Sequence, residues 1–228
     1  MEHKKTKIVL DADVIIHFME ANYFSILPDI FPEYEYLILD VVYNEISQNS
    51  GTKDFIDKYL HFFPKLKKEV FSPKRESMKE FFLLQRTLGK GESACMIYCR
   101  DNRDVLGSSS LKDIKEYCSK NNITYLTTLD FLYYAYCRKK MTEQECKEFM
   151  QEVNNAGSKL PIIDITQYTC TVQIKTHTFQ ENKANTTTKP YRRLHKQSHS
   201  LPLRCNSIMQ SATAMPPPSV LKVFLKPA

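Results

Sequence analysis

Lys7-Ile8-Val9-Leu10-Asp11-Ala12-Asp13-Val14-Ile15-Ile16 is an apolar, β-branched run that meets an acid and continues at helical spacing. Lys7–Asp11 suits a strand buried in a parallel sheet. Asp13 is placed to cap the helix that follows, and Val14, Ile15, Phe18 and Met19 give that helix an apolar face. The pattern returns at Tyr36–Leu39, a second strand, with Asp40 as the expected cap before Val41, Val42, Tyr43, Glu45 and Ile46.

Further along, Asp104–Leu106 leads into Gly107-Ser108-Ser109-Ser110, a short strand and a capping run, and Leu111–Lys120 reads as helix. Ile123–Leu126 is a strand, and Leu129–Lys139 a helix preceded by Thr128. Between the second and third strands, Gly51–Pro73 is an interrupted helical stretch with Pro64 as its stop. Ser77-x-x-Glu80 has the form of a capping box opening a helix over Met78–Leu88. Gly89-Lys90-Gly91 then breaks the chain before a helix over Glu92–Asp101. Thr142-x-x-Glu145 is a second capping box, and Gly157 fits the end of its helix. Strands alternating with helices through short connections predict an α/β fold, a parallel sheet flanked by helices in three α/β/α layers.

The chain has 228 residues, 42% of them hydrophobic, which suits one domain with an appendage. We expect the domain over 5–168 and a disordered or loosely attached basic, Pro/Thr-rich tail over 169–228. From Pro161 onward there are nine Lys/Arg against two acids, whereas residues 1–160 hold 23 bases and 24 acids. The net charge of +6 therefore belongs to the tail. Within the first part, ten bases against five acids fall between Lys53 and Lys90, a local positive face suited to a polyanion. No apolar run approaches bilayer length, so no membrane is expected. A charged start (Glu2, Lys4, Lys5, Lys7) and seven cysteines, an odd number, predict free thiols and a cytoplasmic setting. His195-x3-His199 has zinc-like spacing with no paired cysteines beside it. Cys95 and Cys99, with Met96 and Ile97 between them, suit a helix core.

Three acids sit at element edges. Asp11 ends the first strand, where open α/β sheets bind ligands. Glu45 lies on the helix after the second strand, and Glu92 in the first turn after Gly-Lys-Gly. If the strand order gathers them, the crowded carboxylates call for a cation, and Mg²⁺ or Mn²⁺ suits oxygen ligands. Such an ion beside a phosphodiester activates water and offsets developing charge. His17 is near enough in sequence to reach a phosphate but suits a semi-buried place, and Tyr133, Tyr134 and Tyr136 suit packing more than base stacking.

Ile8–Ile16, then Asp40-Val41-Val42-Tyr43-Asn44-Glu45-Ile46, then Gly89-Lys90-Gly91-Glu92-Ser93-Ala94 resemble three ordered motifs of the PIN-domain ribonucleases. Ile123–Lys140 with Met141-Thr142 resembles that family's last strand and helix, so the likeness spans roughly 5–168. It implies a Mg²⁺- or Mn²⁺-dependent endoribonuclease whose metal-binding, catalytic acids are Asp11, Glu45 and Glu92. It also implies RNA as substrate; Lys90, the base next to Glu92, and Asp13 are the residues we expect to bind it. Many relatives are toxins of bacterial toxin–antitoxin pairs, which adds a small antitoxin as partner, and homodimers are common among them.

One departure stands out. The family carries further Asp after the strand that ends at Leu106-Gly107, where this chain has Ser109 and Ser110. Asp113, a turn later, or Asp13 is the compensating acid expected. The loss motivates an alternative, a degenerate PIN module that binds RNA or a protein without cleavage. Asp11-x-Asp13 also resembles the haloacid-dehalogenase phosphotransferases, which expect Thr where Ile15 stands.

Overall fold

A computed structural model describes residues 5–170 and Val172. These fall within one compact unit, Met1–Gln180, and residues 181–228 lie outside the described residues. So, apart from Thr169, Cys170 and Val172, does the expected tail, His195 and His199 included.

The chain runs β1 (Lys7–Leu10), α1 (Ala12–Glu20), a 3-10 turn (Phe24–Ile26), α2 (Leu27–Ile30), β2 (Glu35–Leu39), α3 (Asp40–Ile46) and α4 (Ser50–Phe62). It continues as β3 (Leu66–Glu69), α5 (Arg75–Leu84), α6 (Lys90–Asn102), β4 (Val105–Gly107) and α7 (Leu111–Asn121). Last come β5 (Tyr125–Leu126), α8 (Thr128–Cys137) and α9 (Glu143–Asn155). The fold is α/β, as expected.

All five strands are parallel, in the order β3-β2-β1-β4-β5. Ile8, Val9 and Leu10 are fully buried, as are Leu37, Ile38 and Leu39 beside them. Near-continuous apolar runs are what a sheet covered on both faces requires. Helices α3, α5 and α7 pack with α6, α1 and α8 pack with α9, α2 packs with α8, and α1 also meets α3. Phe18 joins the core edge-on to both Phe131 and Phe149. Cys95, Cys99, Cys118 and Cys146 are buried thiols.

The order also locates a crevice. From β1 the chain adds β2 and β3 on one side, then returns to place β4 and β5 on the other. The reversal lies between β1 and β4, at whose carboxyl ends open α/β sheets bind ligands. Leu10 pairs with Gly107 there, and the Asp11 N–H donates to the Gly107 carbonyl at 2.8 Å.

Several local expectations are corrected. The stretch read as helical up to Pro73 contains β3, whose Leu66-Lys67-Lys68-Glu69 buries only its leucine. An edge strand covered on one face can keep its lysines: Lys67 pairs with Glu35 at 3.1 Å, and the Lys68 ammonium lies 3.9 Å from the Tyr43 ring centre. Asp11, not Asp13, caps α1, because the helix begins two residues earlier than that cap implies, at Ala12. Asp40 is the first residue of α3 rather than its cap; it accepts from the Val41 and Phe71 N–H groups and so ties the segment after β3 to the helix. Ser77 lies inside α5, donating to Asp101 at 2.5 Å and accepting from Arg100 at 2.9 Å, while Glu80 pairs with Arg100. Thr142 and Glu145 do form the expected capping box, and Gly157 follows that helix at φ +102°.

Candidate active site

Two clusters of polar groups meet at the crevice. The first joins α1 to the β4–α7 turn. Asp11, 5% exposed, accepts at Oδ1 from the Ala12 N–H (2.9 Å) and at Oδ2 from the Ser108 hydroxyl (3.1 Å). Asp13 accepts at Oδ1 from the Val14 N–H (2.6 Å). Its Oδ2 takes the Ser109 N–H at 2.7 Å and has the Ser110 and Ser108 hydroxyls at 3.3 and 3.4 Å. Asp13 is thus a clamp on the serine turn.

The second cluster joins α3 to the start of α6. Glu45 Oε1 accepts from the Gly91 N–H at 2.8 Å. A Cβ on residue 91 would stand 2.4 Å from Glu45 Oε2 and 3.1 Å from Val42 Cγ2, so this approach needs glycine. The first-turn N–H groups of α6 have no partner within their helix, and the Glu45 carboxylate satisfies one. Glu92, in that same turn, has an oxygen, Oε1, that is buried with no hydrogen-bond partner among the described residues.

The clusters act on each other electrostatically. Burial, then the charges of Asp13 and Glu92, push the Asp11 carboxyl up to about 8. Burial, then Asp113, Asp13 and Glu45, push Glu92 up to about 7. Desolvation makes each carboxylate costly, and like charges nearby add to the cost. Carboxyls raised this way in a crevice make it a candidate functional site.

Among the described residues, no three His, Cys, Asp or Glu side chains stand close enough to hold a metal ion as placed. The donors are nonetheless of the hard-oxygen kind that Mg²⁺ and Mn²⁺ prefer, and the orphaned Glu92 oxygen lacks the partner a cation would supply. The ligands would have to draw together around it.

Asp11, Asp13, Glu45, Glu92 and Asp113 all bear on this crevice, Asp113 from the exposed first turn of α7. Lys90 is the exposed first residue of α6. The two serines expected at the fourth position behave differently. Ser110 keeps its hydroxyl toward Asp13, whereas the Ser109 hydroxyl turns to Thr128, 2.8 Å from both its N and its Oγ1. His17 is buried, with Nδ1 2.9 Å from Thr128 Oγ1, and faces no open phosphate position. The sequence reading missed Ser108, the buried hydroxyl between Asp11 and Asp13, and Thr128. Their signal was present, serines after β4 and threonines after β5, two strands that the topology places side by side, but only the strand order reveals it.

Three of the ten bases between Lys53 and Lys90 are engaged locally. Lys53 pairs with Asp57, Lys67 with Glu35, and Lys68 covers Tyr43. Among the described residues, no helix is long and apolar enough to cross a membrane. The chain matches no protein-family model, and no curated protein is significantly similar to it.

Proposed function

We propose that this chain is a PIN-type endoribonuclease, hydrolysing RNA phosphodiester bonds with Mg²⁺ or Mn²⁺. The observation that carries the reading is the pair Asp11 and Glu92. Asp11 follows β1 at the topological switch point, Glu92 opens α6 near enough to act on its charge, and both hold carboxyls raised by burial and by neighbouring acids. Asp11, Glu45 and Glu92 would hold the cation, which when bound supplies charge neutralisation at the phosphate and activation of a water. Ser108 orients Asp11 through its hydroxyl, and Gly91 orients Glu45 through its N–H. Lys90, exposed where α6 begins, attracts the backbone phosphates of a bound strand. The family resemblance adds a small antitoxin that silences the enzyme and a homodimer, and the odd number of cysteines supports a cytoplasmic setting.

A second reading is a module that binds RNA or a protein without cutting. It is favoured by the fourth position, where the Ser109 hydroxyl turns to Thr128 and Asp13 is engaged by the serine turn. Phosphoryl transfer through Asp11 is disfavoured, because Ile15 stands where the haloacid-dehalogenase family expects Thr. Incubating the purified chain with end-labelled single-stranded RNA and Mn²⁺ separates the first two. Cleavage that Asp11→Asn abolishes supports the nuclease; retention of intact RNA by both proteins supports the binding module.

A further inference from the structure

Asp11, Asp13 and the serine turn are held from beneath by a chain of three side chains that no expectation placed there. His17 Nδ1 is 2.9 Å from Thr128 Oγ1, and Thr128 Oγ1 is 2.8 Å from Ser109 Oγ. The Thr128 N–H donates to the same Ser109 oxygen at 2.8 Å, and the Ser109 N–H donates to Asp13 Oδ2 at 2.7 Å. His17 lies on α1, Thr128 at the start of α8 and Ser109 after β4, so the chain ties three elements together. His17 is 6% exposed and Thr128 fully buried. Burial lowers the pKa of the imidazole, keeping it neutral near pH 7, where one nitrogen donates and the other accepts.

This arrangement has a consequence at the crevice. The Ser109 hydroxyl is held by Thr128, which leaves the Ser109 N–H aimed at Asp13 and the neighbouring Ser108 hydroxyl aimed at Asp11. A buried hydroxyl left without its partner costs the desolvation of that group, so the turn keeps its orientation only while the chain is complete. Thr127, not Thr128, caps α8, so the Thr128 hydroxyl is not needed to begin that helix.

We infer that His17 and Thr128 are positioning residues, acting through Ser109 to fix the turn that presents Ser108 to Asp11 and clasps Asp13. The inference rests on the nuclease reading for its meaning, but its test does not need the metal. Amide hydrogen exchange is followed by NMR in the full, metal-free chain for wild type, His17→Leu, His17→Asn, Thr128→Val and Thr128→Ser. Asn keeps a polar atom where Nδ1 stands, and Ser keeps the hydroxyl. The Ser109 amide loses protection by about tenfold or more in the Leu and Val variants and keeps it in the Asn and Ser variants, while the Val9 and Leu106 amides are unchanged in all four. Mn²⁺ affinity falls in the same two variants and is restored in the other two. Unchanged Ser109 protection in His17→Leu and Thr128→Val, or a loss that Asn and Ser do not rescue, overturns the inference. Wild type that binds no Mn²⁺ removes the nuclease reading instead, and the exchange data still decide whether His17 and Thr128 hold the turn.

Discussion

Asp11 accepts hydrogen bonds from the Ala12 N–H and the Ser108 hydroxyl, both favouring its charged form, yet burial and the charges of Asp13 and Glu92 raise its carboxyl to about 8. An Asp in the unfolded chain titrates near ~3.9. Between these values the folded chain holds the extra proton. The stability this contributes is therefore complete below the lower value and is lost as pH climbs toward 8. In metal-free protein, Asp11→Asn keeps the cap and removes this loss. Its melting temperature should rise relative to wild type between pH 6 and 8.5, as differential scanning calorimetry would record; parallel pH profiles would contradict the assignment. Gly91 makes a second prediction. Gly91→Ala forces the Glu45 carboxylate away from the N–H it binds, and the loss of a charged hydrogen bond should weaken Mn²⁺ binding by about tenfold or more, measured by electron paramagnetic resonance. The pairing of Gly91 with Glu45 was not legible from spacing alone, because the two lie 46 positions apart in the chain.

Among the elements, those with strong patterns were readable and those set by tertiary contacts were not. β1, β2 and α6 follow from apolar runs and a Gly-Lys-Gly break, and their observed ends differ from the reading by a residue or two. β3 was hidden, because an edge strand bearing Lys67 and Lys68 has no apolar alternation to show. The two capping-box patterns near Ser77 and Thr142 look alike in sequence, yet only Thr142 caps. Ser77 is drawn inside α5 by Asp101 and Arg100, twenty-odd positions away. The difference is measurable. Thr142→Ala should cost about 1 kcal/mol in urea unfolding, the ordinary worth of a cap. Ser77→Ala should cost more, about 1–3 kcal/mol, because it removes hydrogen bonds from a buried hydroxyl to the half-buried, charged Asp101 and Arg100. A smaller loss for Ser77→Ala than for Thr142→Ala would show that its contacts do not order α5.

At the scale of the molecule, strand order does what no single motif can. Placing β4 beside β1 brings the serine turn to Asp11 and sets α6 with Glu92 over the same crevice. The acids were legible as types and positions; their convergence followed only from the topology, and the role of the serines only from side-chain geometry. The central claim is that this crevice holds a divalent cation. Mn²⁺ titrated calorimetrically into the full chain at pH 8 and pH 6 tests it most directly, with Asp11→Asn and Glu92→Gln beside the wild type. The account predicts saturable binding, weakened by either substitution and weaker at pH 6, because Asp11 at about 8 and Glu92 at about 7 must release their protons to solvent before they bind the cation. Binding equally strong in both variants, or none at millimolar Mn²⁺ at pH 8, would contradict it.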